Sequence, residues 1–361
     1  MLQQFECRLR LSAIDSVYHG ISIDKPDFSD SMYPHGKRIL VTGADGFIGS
    51  HLTELLVREG ARVTALVQYN SFNHWGWLED IPCRADVDVV TGDIRDPHFC
   101  TMLMKNQDAV LHLAALIPIP YSYRAPDSYV DTNVRGTLNL CQAALAGGVQ
   151  RFLHTSTSEV YGTAQYVPID EKHPLNAQSP YSATKIAADA IVTSFHYSFH
   201  LPATIVRPFN CYGPRQSARA VIPTIISQIA SGATEVHLGN TTTTRDFTFV
   251  EDTCRGFLAV LGLETSDGEV FHVGSNTEIT VNELFALIAS LMNSQARVVE
   301  DPQRIRPVAS EVLRLRCDHS KLKNATGFAP CTSLKEGLDR TIAWFSEPDR
   351  LRRYKPDLYN V

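Results

Sequence analysis

Tyr181 and Lys185 stand four residues apart in Ser179-Pro-Tyr-Ser-Ala-Thr-Lys185, a spacing that puts a phenol and an ammonium on one face of a helix. A tyrosine hydroxyl titrates near 10, so acting as a base at neutral pH requires a drop of about three units, roughly 4 kcal/mol. A nearby ammonium favours the phenolate and keeps protons free to bond a ligand hydroxyl. The spacing by itself is common, and Tyr33 with Lys37 repeats it across Pro34 and Gly36. Context separates the two. Ser179-Pro180 ends a loop, and Ala183, Ile186, Ala187, Ala188 and Ala190 continue a helical pattern. Upstream, Thr157-Ser158-Glu159 offers hydroxyls to orient an alcohol and a carboxylate to move a second proton. Tyr181, Lys185, Thr157, Ser158 and Glu159 are therefore the candidate catalytic residues.

Chemistry of this kind needs a scaffold that holds an electron carrier beside the base. The segment Arg38-Ile-Leu-Val-Thr-Gly43-Ala-Asp-Gly46-Phe47-Ile48-Gly49 runs from an apolar strand pattern through three glycines into an amphipathic helix. In such a turn the first glycine bends the chain, the second lets backbone approach a pyrophosphate, and the third lets helix and strand pack closely. Strand-like runs follow at Arg62–Val67, Val87–Val90 and Ala109–Ala115, separated by helix-like stretches. That alternation predicts an α/β fold, a Rossmann-type doubly wound parallel sheet, with a smaller mixed α/β substrate-binding part.

From Lys37 to about Phe345 the chain resembles the extended short-chain dehydrogenases/reductases that include the nucleotide-sugar epimerases and dehydratases. The motifs stand in order: the Gly43/Gly46/Gly49 turn, Gly92-Asp93-Ile94-Arg-Asp96, His112-Leu-Ala114-Ala115, Asn133-Val-Arg-Gly-Thr137, Ser156-Thr-Ser-Glu-Val-Tyr-Gly162, Tyr181 with Lys185, and Arg207-Pro-Phe-Asn210-Cys-Tyr-Gly-Pro-Arg215. The resemblance implies that Asp93 and Ile94 flank an adenine and that Ala114 and Ala115 line the cofactor's path. It implies NAD rather than NADP less directly. The acid expected after the second strand is missing, because Val67 leads into Gln68, Tyr69 and Asn70. With no arginine there to meet a 2′-phosphate, Gln68 or Asn70 is expected to bond a ribose hydroxyl.

Within that family a carboxylate at Glu159 suits removal of the proton at C5 of a 4-keto sugar, so the chain resembles the 4,6-dehydratases. Thr157-Ser158-Glu159 is more similar to the GDP-mannose type than to the glucose type, which carries Asp where this chain has Ser158. The group that protonates the departing C6 hydroxyl is left open. Similarity also places Arg306 and Glu311 at the diphosphate and ribose of a nucleotide sugar, with Asn210, Arg215 and Arg245 as further substrate contacts. Tyr69–Trp77 and Arg215–Pro223 resemble 4,6-dehydratases acting on nucleotide-linked N-acetylglucosamine, the GDP-linked sugar of legionaminic-acid-type pathways. Trp75 and Trp77 are read either as core or as an apolar wall for sugar or base. The alternatives are a uronic-acid decarboxylase, a 4-epimerase, or a dinucleotide sensor for which Tyr181, Lys185 and Glu159 would be superfluous.

A chain of 361 residues accommodates a nucleotide-binding part, assigned to 37–210 with 236–262, and a substrate part, assigned to 211–235 with 270–345. Residues 1–36 are an extension of unassigned structure and 346–361 a tail. The net charge of −6 without a basic stripe argues against nucleic acid. No apolar run reaches membrane-spanning length, and no signal-peptide pattern opens the chain. Eight cysteines and 13 histidines without ligand spacing predict reduced thiols, a cytoplasmic setting and no metal. The helices at Asp127–Ala146 and Ser182–Phe199 correspond to those that pair as a four-helix bundle in family homodimers.

Overall fold

The computed structural model describes residues 33–356, 358 and 359. Its centre is a seven-stranded, wholly parallel sheet: β1 (Arg38–Thr42), β2 (Arg62–Gln68), β3 (Val87–Gly92), β4 (Ala109–His112), β5 (Arg151–Thr155), β6 (Ala203–Pro208) and β7 (Val270–Val273), in the order β7-β6-β5-β4-β1-β2-β3. The central strands are buried on both faces, as Ile39-Leu-Val41 and Ala109-Val-Leu-His112 show, because helices cover the sheet on either side. The order reverses between β1 and β4, which opens a crevice at the carboxyl ends of the strands.

Three helices frame that crevice: α1 (Phe47–Arg58), α2 (Gly136–Gly147) and α3 (Pro180–Phe199). The chain enters α2 through a short helical turn, Pro126–Tyr129, and a π-helical segment, Val130–Arg135. The start of α3 is fixed by a reciprocal cap. Ser179 Oγ accepts from the Ser182 amide at 3.1 Å, Ser182 Oγ accepts from the Ser179 amide at 3.0 Å, and Pro180 occupies the first turn.

The structure moves two boundaries assigned from sequence. Val270–Val273, assigned to the substrate part, completes the large sheet by pairing with β6, Phe271 against Val206 and His272 against Arg207. Its Val-Phe-His-Val sequence suits a strand covered on both faces. Conversely Glu235–Leu238, most of which was grouped with the nucleotide-binding part, pairs with Arg297–Glu300 in a separate two-stranded sheet. Helix Val250–Leu261 packs against α1. The tail is not peripheral throughout, since Tyr354 is buried against Trp77, Trp344 and Phe345. Of the N-terminal extension, residues 1–32 lie outside the described residues.

Candidate active site

Tyr181 and Lys185 lie on the buried face of α3, beneath the carboxyl end of β5. Lys185 Nζ donates to the Thr155 carbonyl at 2.6 Å, which fixes the ammonium at the carboxyl end of β5. Burial pulls Lys185 down to about 8, against the attraction of Asp189. Burial pushes the Tyr181 phenol upward, a hydrogen bond with Thr157 opposes it, and the Glu159 carboxylate reinforces it. The Tyr129 ring meets Tyr181 edge-on at 6.3 Å, and its hydroxyl is anchored on the Pro118 carbonyl at 2.5 Å. Thr157 caps the turn Ser158–Tyr161, accepting from the Glu159 amide at 3.2 Å; this turn carries Ser158 into the core and leaves Glu159 half-buried at the crevice.

Sequence reasoning singled out Asn133 only as part of a motif, and the structure gives it a positioning task. Its Oδ1 accepts from the Leu116 amide at 2.8 Å, while its Nδ2 donates to the Leu116 carbonyl at 2.9 Å and to Thr184 Oγ1 at 3.1 Å. One buried amide thus ties the segment after β4 to α3 next to Tyr181. The π-helical winding around it is a feature frequently found at functional sites.

The glycine turn has the form expected of a pyrophosphate cradle. Gly43 has φ +67°, and a side chain there would bring Cβ within 2.9 Å of the Ala114 backbone. A Cβ on Gly49 would overlap the Gly43 carbonyl oxygen, and Gly46 stands at the N-cap of α1, with Phe47 and Ile48 opening the helix. Ala114 is held by its amide, which donates to Thr42 Oγ1 at 3.1 Å, and Ala115 follows it half-buried along the crevice.

The flanking residues make contacts within the fold. Asp93 is engaged bidentately by Arg95, Nε to Oδ1 at 3.0 Å and Nη2 to Oδ2 at 2.5 Å, so that carboxylate is held by a neighbour; Ile94 is buried against Gly136. Asn70 folds its amide back on its own loop, donating to the Gln68 and His74 carbonyls and accepting from the Phe72 and His74 amides. That leaves Gln68, whose side chain is exposed at the end of β2, with the Asp45 carboxylate 3.4 Å from its amide. Trp77 belongs to the core, since it packs on Trp344 with ring centres 5.3 Å apart.

On the substrate side, Arg245, Arg306 and Glu311 converge. Glu311 Oε1 lies 3.6 Å from both Arg245 Nη2 and Arg306 Nη1, outside hydrogen-bond reach of either. The Glu159 charge also faces Arg245. Among the described residues, Arg306 Nη1 and Asn210 Oδ1 are buried polar atoms without a hydrogen-bond partner, which is unusual unless a ligand supplies one. Arg215 is engaged within the fold, gripping Glu54 of α1 with both terminal nitrogens at 2.8 and 3.2 Å, so its guanidinium fork faces a carboxylate.

This arrangement matches a known set of proteins. Residues 40–341 fit the family model described as GDP-mannose 4,6 dehydratase. The chain is 34% identical over 313 residues to a dTDP-glucose 4,6-dehydratase of Streptomyces antibioticus, covering 86% of this chain and 92% of the relative. It is 32% identical over 316 residues to a UDP-glucose 4-epimerase of Mycolicibacterium smegmatis, covering 85% and 98%. The solved structure of DesIV, a dTDP-glucose 4,6-dehydratase from Streptomyces venezuelae with NAD bound, superposes with a TM-score of 0.80 at 31% identity, covering 88% of this chain and 99% of that one. The glycine cradle fits NAD, the cofactor of this group. With the motif order, the parallel sheet and the Tyr181–Lys185 site in agreement, the chain belongs to the GDP-mannose 4,6-dehydratase family, within the NAD-dependent nucleotide-sugar epimerases and dehydratases.

Proposed function

We propose that this protein is a nucleotide-sugar 4,6-dehydratase that converts an NDP-hexose or NDP-N-acetylhexosamine to its 4-keto-6-deoxy form. The observation that carries this reading is Glu159, a carboxylate two residues beyond the tyrosine-orienting Thr157 and facing Tyr181. An epimerase that oxidises and re-reduces one carbon needs Tyr181 and no second base; a dehydratase needs both.

NAD supplies the hydride acceptor and donor for such a reaction, held by the Gly43–Gly49 turn, Ala114, Ala115 and Gln68. Thr157 orients the C4 hydroxyl and Tyr181 takes its proton, with Lys185 favouring the phenolate. The resulting ketone acidifies the C5 hydrogen, and Glu159 removes it. Loss of the C6 hydroxyl with that proton expels water and leaves a C5–C6 double bond. Ser158, buried beside Glu159, relays or positions the proton for the departing hydroxyl. Reduction at C6 and protonation at C5 complete the 4-keto-6-deoxy sugar. Arg306 and Asn210 offer unpartnered polar atoms to the nucleotide sugar, and Arg245 with Glu311 lines the same wall.

Residues 211–238 and 274–345 form the substrate-binding part in this reading, and the nucleotide-binding part comprises the large sheet with its helices. No helix among the described residues is long and apolar enough to cross a membrane. A cytoplasmic homodimer is part of this reading, supported by the exposed Val130, Leu145, Tyr197 and Phe199 on the two helical segments, which supply apolar surface for a four-helix bundle.

The test is isotopic. Substrate carrying deuterium at C4 yields product with that deuterium at C6, one solvent hydrogen at C5 and no net consumption of NAD. Return of the label to C4 identifies an epimerase; carbon dioxide released from a uronic acid identifies a decarboxylase. Either result replaces the dehydratase reading.

A further inference from the structure

Below Tyr181 and Lys185 lies a buried polar network that the reaction described above does not use. Asp189 is one turn beyond Lys185 on α3, and Arg207 rises from β6; both side chains are about 5% exposed. Asp189 Oδ2 accepts from Arg207 Nη2 at 2.9 Å, from Arg207 Nε at 3.3 Å and from Ser156 Oγ at 2.7 Å. Its Oδ1 lies 3.3 Å from His154 Nε2. Arg207 Nη1 donates to the Tyr161 hydroxyl at 2.6 Å, and that hydroxyl is also hydrogen-bonded to His272 Nε2 at 2.6 Å. The far end reaches Glu171, 4.0 Å from His272 Nδ1.

We propose that the Asp189–Arg207 pair is a charge-setting unit that fixes the working pH of the Tyr181–Lys185 couple, with Arg207 holding Asp189 so that the Lys185 ammonium faces Tyr181 uncancelled. An inventory of the groups around the couple gives the reason. From α3 come Lys185, positive, and Asp189, negative; from β6 comes Arg207, positive. His112 on β4 and His154 on β5 are uncharged, because burial holds the first well below its ordinary range and the second at about 4. Tyr129, before α2, keeps its proton under burial, and Glu159 on the substrate side is faced by Arg245. Behind Arg207, Tyr161 stays protonated, His272 is pulled down to about 3 by burial, and burial raises Glu171. Asp189 and Arg207 therefore cancel, Glu159 and Arg245 cancel, and one positive charge remains at Lys185. A phenolate at Tyr181 neutralises it. An uncompensated Asp189 would instead be the anion nearest to that ammonium and would oppose the phenolate.

The inference rests on the reading of Tyr181 as base, and its test separates the two. Removing the anion (Asp189→Asn) makes both an ammonium and a neutral phenol less favourable, so Lys185 and Tyr181 titrate lower. Removing the cation (Arg207→Met) moves both higher. The first measurement needs no substrate: the 15N NMR titration of Lys185, assigned by loss of its signal in Lys185→Met. Relative to the native protein, the midpoint falls by roughly one pH unit in Asp189→Asn and rises by roughly one in Arg207→Met. In the double variant it returns to within about half a unit of native. The second is the pH profile of single-turnover nicotinamide reduction, which shifts bodily in the same directions. A purely structural pair would lower the amplitude without opposite shifts.

Shifts of both single variants in one direction, or a double variant that stays with Asp189→Asn, overturn the proposal. If Arg207→Met fails to fold, the comparison of Asp189→Asn with the double variant decides the matter alone. Lysine midpoints that move as stated while the pH profile stays still uphold the charge-setting unit and sink the role of Tyr181 as base.

Discussion

The floor and the wall of the crevice are built on opposite principles. On the floor, Lys185, Asp189, Arg207 and Asn133 are buried and each is held within the fold by hydrogen bonds of 2.6 to 3.3 Å. On the wall, Arg245, Arg306 and Glu311 approach one another only to 3.6 Å, and Arg306 and Asn210 keep buried atoms without partners. Buried charge is tolerated on the floor because Asp189 and Arg207 are bonded to each other, although Asp189 Oδ1 keeps no hydrogen bond of its own, whereas on the wall the charged groups stand apart and offer desolvated atoms whose missing bonds a ligand can make. Under the proposed mechanism, the contrast means that the groups assigned to proton chemistry are preorganised in the fold while binding completes the recognition side.

Four substitutions sharpen or break this division. Tyr181→Phe, on the floor, should lower turnover by about two to four orders of magnitude, in the range for loss of a general acid–base group, with NAD affinity retained. Calorimetric titration with NAD beside steady-state assays checks both halves. Near-native turnover would show that the floor does not do the chemistry. Glu159→Gln, at the junction of the two regions, should slow product formation by about a hundredfold or more while the first hydride transfer persists as reduced-nicotinamide absorbance. Unchanged C5 hydrogen exchange in that variant would return Glu159 to a structural role.

Arg306→Ala, on the wall, should raise KM for the nucleotide sugar by about tenfold with kcat within about threefold, as loss of one charge-assisted bond made equally in ground and transition states predicts. A collapse of kcat instead would mean that the wall too is part of the chemistry. The smallest effect belongs to Arg215→Ala. Its fork binds Glu54, so KM should stay within about twofold, and the melting temperature should fall by about 2–4 °C for a part-buried pair of about 1 kcal/mol. A tenfold rise in KM there would restore Arg215 to the substrate.

What the sequence made legible follows the range of the interactions. The glycine turn and the Tyr181–Lys185 pair are local: three glycines in seven residues and a one-turn spacing carry their own geometry. Local spacing was insufficient at Tyr33 and Lys37, which form a turn with the ammonium 5.6 Å from the ring centre, because Pro34 and Gly36 deny them a helix. The pairing of Arg215 was not legible because its partner, Glu54, is 161 residues away and nothing near Arg215 announces it. Asp189 and Arg207 went unnoticed for a related reason. An acid on a helix and a base on a strand 18 residues later have no motif until the sheet brings them face to face. Asp93 is the exception, a missed contact only two residues long, whose neighbour Arg95 was in plain view.

Strand β7 carries His272, the register partner of Arg207, from a point more than two hundred residues after the glycine turn. During synthesis the cradle and the base are made long before the strand that closes the sheet's edge and caps the far side of Arg207. Until then β6 is an unprotected edge, and its arginine lacks the Tyr161–His272 pair behind it. A gene cut after residue 262 would therefore encode a cofactor cradle with an unfinished floor. The two parts of this protein are consequently inherited as one unit: exchanging the substrate part for that of a relative must carry Val270–Val273 over with the sheet it completes.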